Sequence, residues 1–377
     1  MKRQVRKNMK TIIAVPDFTR DAHLKKVLPD ILKKLRKERV SNKDIEIIIA
    51  TGLHRSPTRK EIRKNLGSIV DKIKVSVHNS GKGHVAYFGK TKRGVPIFLN
   101  KKIKDADSII TVGVVEPHLY AGYSGGTKVV VIGLAGEKTI NATHHPRFLD
   151  QAGARICSIK KNPFRNFIEE VSSWLPIKYS VNIINDKNGD LKRVFQGNAR
   201  SSFKKALNYS QKIFEKKIDS SFDVVICDIP KTKSINIYQA SRAFNYVANT
   251  RKSVLKNNSL ILVKADLKEG FGKGLGEKRF MNKITKMESP KRLIRDIKKR
   301  GCVAGEHRAY MVAKAALKAK LGFISKNSHL YKNKGLPFLF FKNLKEAFIF
   351  IKDHLKKEVR IHYLKNAFNT ILVRNHN

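Results

Sequence analysis

"TIIAVPDFTRDAHLKKVLPDILKKLRKERVSNKDIEIIIATG", residues 11–52, holds two apolar β-branched runs on either side of a basic segment with apolar residues at helical spacing. Residues 11–17 predict a strand, 22–39 a helix and 45–52 a second strand, the order of a parallel βαβ unit. The alternation continues with a helix over 58–66 and a buried strand in "ADSIITVG", 106–113. "FDVVICDIP" (222–230) and "NSLILVKA" (258–265) restart it after a polar helical stretch near 200–217. "NGD", 188–190, reads as a turn. The expected fold class is α/β: two α/β domains, residues 1–210 and 211–377, with mainly parallel sheets and an interdomain active-site cleft.

At 377 residues the chain is long enough for each domain to bury its own core. No run of about 18 apolar residues could span a bilayer, and the apolar stretch 12–15, cut by Pro16 and Asp17, is too short for a signal-peptide core. A cytoplasmic protein with no membrane partner is expected. Cys157, Cys227 and Cys302 are far apart and form no CxxC pair, so they read as core filler rather than as a disulfide framework or zinc site. The net charge of +49 is spread over the whole length in groups such as "KKLRKER" (33–39) and "KRLIRDIKKR" (291–300). In the second group Leu293, Ile294 and Ile297 recur at helical spacing, so the cations cover a solvated helix face. Without a zinc finger, an aromatic-rich RNA signature or a polybasic tail, nucleic acid is not the expected partner. A field of this sign instead concentrates small anions.

Three chemically loaded stretches follow strands: "DFTR" (17–20), "ATGLHR" (50–55) and "EPHLYAGYSGGTK" (116–128). In an open α/β sheet such loops gather at the carboxyl edge of the strands and form a ligand crevice. Arg20 offers a planar fork for a carboxylate, or a surface ion pair. His54 and His118 have the side chain suited to proton transfer near neutral pH, and a racemase needs two such groups on opposite sides of its substrate. A structural hydrogen-bonding role is the other reading of His54. Of the adjacent His144 and His145, at most one is a metal ligand. Gly125 and Gly126 allow backbone amides to approach an anion, or form an ordinary turn, and Lys128 can supply charge or a nucleophile. The stretch matches neither a Walker A loop nor G-x-G-x-x-G. In "NIYQASR", 236–242, a helix would place Tyr238 or Gln239 on one face with Arg242, which suits either a binding site or a surface helix.

Together these blocks resemble the nickel-pincer-dependent lactate racemase family. The likeness runs in order through "DFTR", "ATGLHRSPTRKEI", "VHN" with His78, "GVPIFLNKKIKDADSIITVG", "EPHLYAGYSGGTK", "TINATHH", "KNPFRNFIEE", "SVNIIND" and "NIYQASRAF". The resemblance implies an isomerase that racemises or epimerises a 2-hydroxy acid such as lactate, with a nickel pincer nucleotide, a nicotinate-derived mononucleotide bearing two sulfur groups, as cofactor. By motif match Lys128 joins that cofactor through a thioamide, His144 is the protein ligand to nickel, and Gly125 and Gly126 lie in the cofactor's surroundings. His54 and His118 are then the alternating acid and base, Arg20 clamps the substrate carboxylate, and Tyr238, Gln239 and Arg242 line the substrate side. The implied chemistry passes hydride to the pyridinium carbon while a histidine takes the hydroxyl proton, then returns it to the other face.

The chain departs from the family pattern in its second half. Arg242 stands where a lysine is usual, "DIPKTKSINIYQ" (228–239) replaces a Gly-Gly-Tyr-Pro-type turn, and Ile132-Gly133 replaces Pro-Gly. These changes leave room for a different hydroxy or sugar acid with altered chemistry. A non-catalytic anion- or nucleic-acid-binding protein is the alternative from another class, and it has no need of His54, His118, Lys128 and His144 together.

Overall fold

The computed structural model describes residues 9–186, 188–250, 253–332, 334–355 and 358–374. The chain forms two compact units, one of residues 1–116, 124–143 and 163–210, the other of 117–123, 144–162 and 211–377.

In the first unit β1 (Thr11–Pro16), β2 (Ile45–Ala50), β3 (Lys74–Val77), β4 (Ser108–Val114), β5 (Ile177–Asn185) and β6 (Leu191–Gly197) form one sheet in the order β6–β5–β4–β1–β2–β3. All neighbours are parallel except the β5–β6 pair at the edge. Helix α1 (Leu24–Lys37) buries Leu24, Val27, Leu28, Ile31, Leu32 and Leu35, the stripe that its spacing predicts. That stripe packs into one core with Ile13, Ile47, Val112 and Val181 of the sheet. Helix α2 (Arg59–Leu66) opens on a capping box in which the Thr58 hydroxyl accepts from the Glu61 amide and the Glu61 carboxylate accepts from the Thr58 amide. The one-turn helix α3 (Lys128–Val131), α4 (Pro163–Ser173) and most of α5 (Ala199–Phe214) also belong to this unit.

The second unit is built on a wholly parallel sheet. It consists of β7 (Phe222–Asp228), β8 (Leu255–Lys264), β9 (Ala319–Ile324), β10 (Leu339–Phe341) and β11 (Ile361–Leu364), in the order β10–β9–β8–β7–β11. One of its cores joins Val224, Ile226, Leu260, Leu262, Ile324 and Phe341. Helices α6 (Ile237–Ala240) and α7 (Arg242–Ala248) meet at Ser241. Helix α8 (Pro290–Arg300) buries Leu293 and Ile297 and turns its cations outward, and α9 (Glu306–Ala316) is buried along most of its length.

The division differs from a single break at residue 210 because two early segments are anchored in the second unit. The Tyr246 hydroxyl donates to the Pro117 carbonyl at 2.8 Å, and the Asn162 amide donates to the Tyr120 carbonyl at 2.7 Å. Gly122, at φ +73°, has no room for a β-carbon, which would lie 2.0 Å from the Ser158 carbonyl oxygen. Asp150 accepts from the Tyr310 hydroxyl at 2.8 and 2.7 Å and from Lys314 at 2.8 Å, and so ties the 144–162 segment to α9. Cys227 and Cys302 are buried thiols and Cys157 a half-buried one. No helix among the described residues is long and apolar enough to cross a membrane.

Candidate active site

In the first unit the strand order reverses at β1, with β2 on one side and β4 on the other. Open α/β sheets bind ligands outside the carboxyl ends of strands at such a switch point. Asp17 and Arg20 follow β1, and Glu116 follows β4. Arg20 Nη1 donates to a Glu116 carboxylate oxygen in an ion pair, and also to Ser124 Oγ at 3.3 Å. This ion pair bridges the loops of two adjacent strands, and both contacts use the same guanidinium nitrogen.

β1 stops at Pro16, and Asp17 turns the chain by accepting the Thr19 amide at 3.1 Å and the Thr19 hydroxyl at 2.6 Å through Oδ1. Its Oδ2 lies 2.7 Å from His54 Nδ1. Burial opposes the charge on Asp17, but His54 and Thr19 outweigh it and hold the carboxyl below the usual range. A carboxylate only accepts, so His54 Nδ1 carries the hydrogen, and the lone pair of the neutral ring is on Nε2. His54 itself stands beyond Gly52 at φ +55°, and its side chain is 43% exposed, so the lone pair is accessible. His78, by contrast, is a buried structural group: its Nε2 bonds to the Ala135 carbonyl at 3.0 Å and its Nδ1 to the Asn100 amide at 3.2 Å.

Gly125 and Gly126 have φ of +81° and +59°. A β-carbon on Gly125 would lie 2.4 Å from Val115 Cγ2, and one on Gly126 2.9 Å from the Phe203 ring. The Gly126 amide donates to Asn182 Oδ1 at 2.8 Å, so it is spent inside the unit rather than held out to an anion. Close packing is what this turn requires of glycine, and it delivers Lys128 as the first residue of α3, half-buried.

The second unit carries the other candidates. His118 begins a tight hairpin in which its Nδ1 accepts the amides of Tyr120 at 3.3 Å and Ala121 at 3.2 Å. Its neutral ring therefore keeps its hydrogen on Nε2, the opposite tautomer to His54. Tyr120 sets its ring edge-on to His118 and His144, with centroids 5.8 and 5.7 Å away. His307 lies 4.7 Å from the His144 ring, and burial keeps its imidazole well below the usual pKa, hence neutral. His145 has a different task, because its Nδ1 caps the short helix Pro146–Leu149 by accepting the Arg147 amide at 3.2 Å. Tyr238 and Gln239 are buried on α6, and Arg242 Nη1 donates to Gln239 Oε1 at 3.3 Å.

Comparison with known proteins gives this arrangement its context. Residues 1–156 match the family model of the lactate racemase N-terminal domain. A lactate racemase of Thermoanaerobacterium thermosaccharolyticum is 23% identical over 366 residues, 96% of this chain and 84% of that protein. The first 156 residues carry the lactate racemase N-terminal domain. A lactate racemase of Lactiplantibacillus plantarum is 25% identical over 291 residues, which cover 75% of this chain and 65% of that protein. The lactate racemase apoprotein structure from T. thermosaccharolyticum has the same fold, with a TM-score of 0.86 at 22% identity over 97% of this chain and 87% of that one. A Thermotoga maritima protein superposes with a TM-score of 0.77 at 16% identity over 99% and 95% of the two chains.

The lactate racemase N-terminal span holds Arg20, His54, His118, Gly125, Gly126, Lys128 and His144, whereas Tyr238, Gln239 and Arg242 lie beyond it. Asp17, Glu116, Tyr120, His307 and Arg308 were not singled out by the sequence. Asp17 carried one usable signal, its place directly after the first apolar run; the pairing of Pro16 with Ala50, which sets the residues after β1 and β2 side by side, appears only in the fold.

Proposed function

We propose that the protein is a racemase or epimerase of a 2-hydroxy acid that works with a nickel-bearing, nicotinate-derived mononucleotide. The observation that carries this reading is the opposite tautomers of His54 and His118, one offering a lone pair at Nε2 and the other a hydrogen. In this reading, taken from the family resemblance, the two histidines serve in turn as base and acid at the substrate hydroxyl. His54 takes the hydroxyl proton at Nε2, and the imidazolium so formed is stabilised by Asp17. His118 donates from Nε2. For the mirror-image substrate the roles exchange, and His118 must then give up its two amide contacts. Glu116 and Ser124 fix Arg20 by Nη1, so its Nη2 edge is the one that meets the substrate carboxylate.

The chain's own residues fit the cofactor. By the family resemblance His144 would be the one protein donor to a metal whose other donors arrive with the bound group; among the described residues no group of three or more His, Cys, Asp or Glu could hold a metal by itself. An imidazole donor would suit Ni(II). Lys128 would hold the nucleotide covalently through its amine. When bound, the group supplies the hydride acceptor that spares the substrate a free carbanion.

The test is mass spectrometry with metal analysis on protein loaded with cofactor. Lys128→Ala is expected to lose the covalent mass addition, and His144→Ala to keep it while losing nickel. An adduct that persists on Lys128→Ala removes that lysine from its role. Loaded wild-type protein that leaves both hands of every 2-hydroxy acid tried unconverted overturns the racemase reading.

A further inference from the structure

A cavity of about 460 Å³ opens within the second unit, between residues 145–150 and the C-terminal turn of α8. None of the residues proposed to act in catalysis lines it. Four cations, Arg147, Lys298, Lys299 and Arg300, face it together with one acid, Asp150. That acid is already occupied: it accepts from the Tyr310 hydroxyl and from Lys314, and pairs with Lys298 at 3.2 Å. Arg300 shares Glu306, at 3.1 Å, with Lys283 at 3.5 Å. Among the described residues Arg147 and Lys299 have no carboxylate partner. The last turn of a helix favours cations, which accounts for Lys298, Lys299 and Arg300. It does not account for Arg147, which a separate segment brings to the same cavity. The wall between the two segments is closely fitted, because a β-carbon on Gly301, at φ +79°, would lie 2.7 Å from His145 Nε2. His145 Nδ1 accepts the Arg147 amide, so the neutral ring bears its hydrogen on Nε2 and can offer it to an anion.

A carboxylate presents two coplanar oxygens and matches a single guanidinium fork, whereas a phosphate group presents three oxygens in different directions and up to two charges. Two forks and two ammonium groups that arrive from two elements suit the phosphate. The volume lies in the range of sites for small organic molecules and leaves room beyond a bare phosphate ion, and the rings of His145 and Pro146 line it. We propose that this cavity binds a phosphate-bearing small molecule, and that its occupant braces the segment that carries His144. His145 and Gly301 are the neighbours in sequence of His144 and Cys302, and the Cys302 thiol donates to the His144 carbonyl at 3.5 Å. A ligand that holds His145 against Gly301 therefore also holds the backbone of His144. The site stands apart from the racemase reading, and only the consequence for a metal at His144 rests on it.

The test uses the full chain without cofactor, in about 0.15 M salt so that the diffuse field is screened. The probes are pyrophosphate and citrate, the second a polyanion built of carboxylates, followed by calorimetric titration and amide hydrogen exchange. One pyrophosphate per chain is expected to bind, at least about tenfold more tightly than citrate. The double variant Arg147→Gln, Lys299→Gln is expected to lose about tenfold or more of that affinity. The double variant Lys33→Gln, Lys37→Gln removes the same charge from the exposed face of α1 and is expected to bind like the wild type. Pyrophosphate is also expected to slow exchange at residues 144–150 and 298–302 of the wild type, a readout that locates the site even should the cavity variant fail to fold. No binding, citrate that binds as tightly as pyrophosphate, protection confined to other parts of the chain, or equal losses in both double variants overturns the site. The last outcome would leave only the general attraction of a chain with a charge of +49. Protection at 298–302 without any at 144–150 overturns the bracing of His144. Loaded protein that inverts no hydroxy acid sinks the racemase reading and leaves this binding result as it is.

Discussion

Asp17 shows what a single buried carboxylate contributes to this site. It touches His54 rather than the place where substrate is proposed to bind, and its task is to decide which imidazole nitrogen bears the hydrogen. Asp17→Asn keeps the shape, but its amide can offer a hydrogen to Nδ1 and so favour the wrong tautomer. Turnover is expected to fall by about 100-fold with KM little changed, measured by steady-state kinetics of the loaded enzyme. A second readout separates this role from a merely structural one. The folded-state carboxyl of Asp17 lies below its unfolded value, so its stabilisation is present above the unfolded pKa and is lost as pH falls through the depressed one. The stability gap between wild type and Asp17→Asn should therefore narrow below about pH 5, as read from melting temperatures across pH. A gap that stays constant to pH 3 argues against an ionised Asp17. The sequence singled out candidates by the chemistry of their type, among them His54, His118 and Lys128. It did not identify their partners, because Asp17, Glu116 and Arg308 act through neighbours distant in the chain.

At the scale of elements, the alternation of apolar β-branched runs with amphipathic segments of period 3.6 set the architecture. Strands buried on both faces, such as β4, read as unbroken apolar runs, and α1 shows one apolar stripe. Leu28 lies at the centre of that stripe with no exposed surface. Leu28→Ala should cost about 2–5 kcal/mol, observed as a lower urea midpoint with an unchanged slope. A loss under about 1 kcal/mol would mean that α1 does not carry the core of the first unit. What periodicity could not reveal was the ownership of segments 117–123 and 144–162, which hold His118 and His144. Short loops carry no period, and their anchors, such as Tyr246 on Pro117 and Tyr310 on Asp150, lie well over a hundred residues away. The same limit applies to the Gly125–Gly126 turn, whose amide chemistry depends on Asn182.

For the whole molecule, a charge of +49 without a nucleic-acid motif needs a physical consequence that can be measured. Exposed cations raise the concentration of anions around the protein, and salt screens this attraction over a length of about 8 Å at 0.15 M. Residues proposed to hold substrate at short range, such as Arg20 with its side chain 19% exposed, are screened much less than the surface lysines. Capture and chemistry should therefore separate: raising sodium chloride from about 20 to 200 mM is expected to raise KM for a hydroxy acid about threefold or more while leaving kcat within experimental scatter. An uncharged ester of the same acid serves as the reference, since its binding should be indifferent to salt. If kcat falls in step with the rise in KM, the charge acts on the reacting groups rather than on encounter. If KM does not respond at all, the surface cations play no part in gathering the substrate, and the charge answers only to solubility.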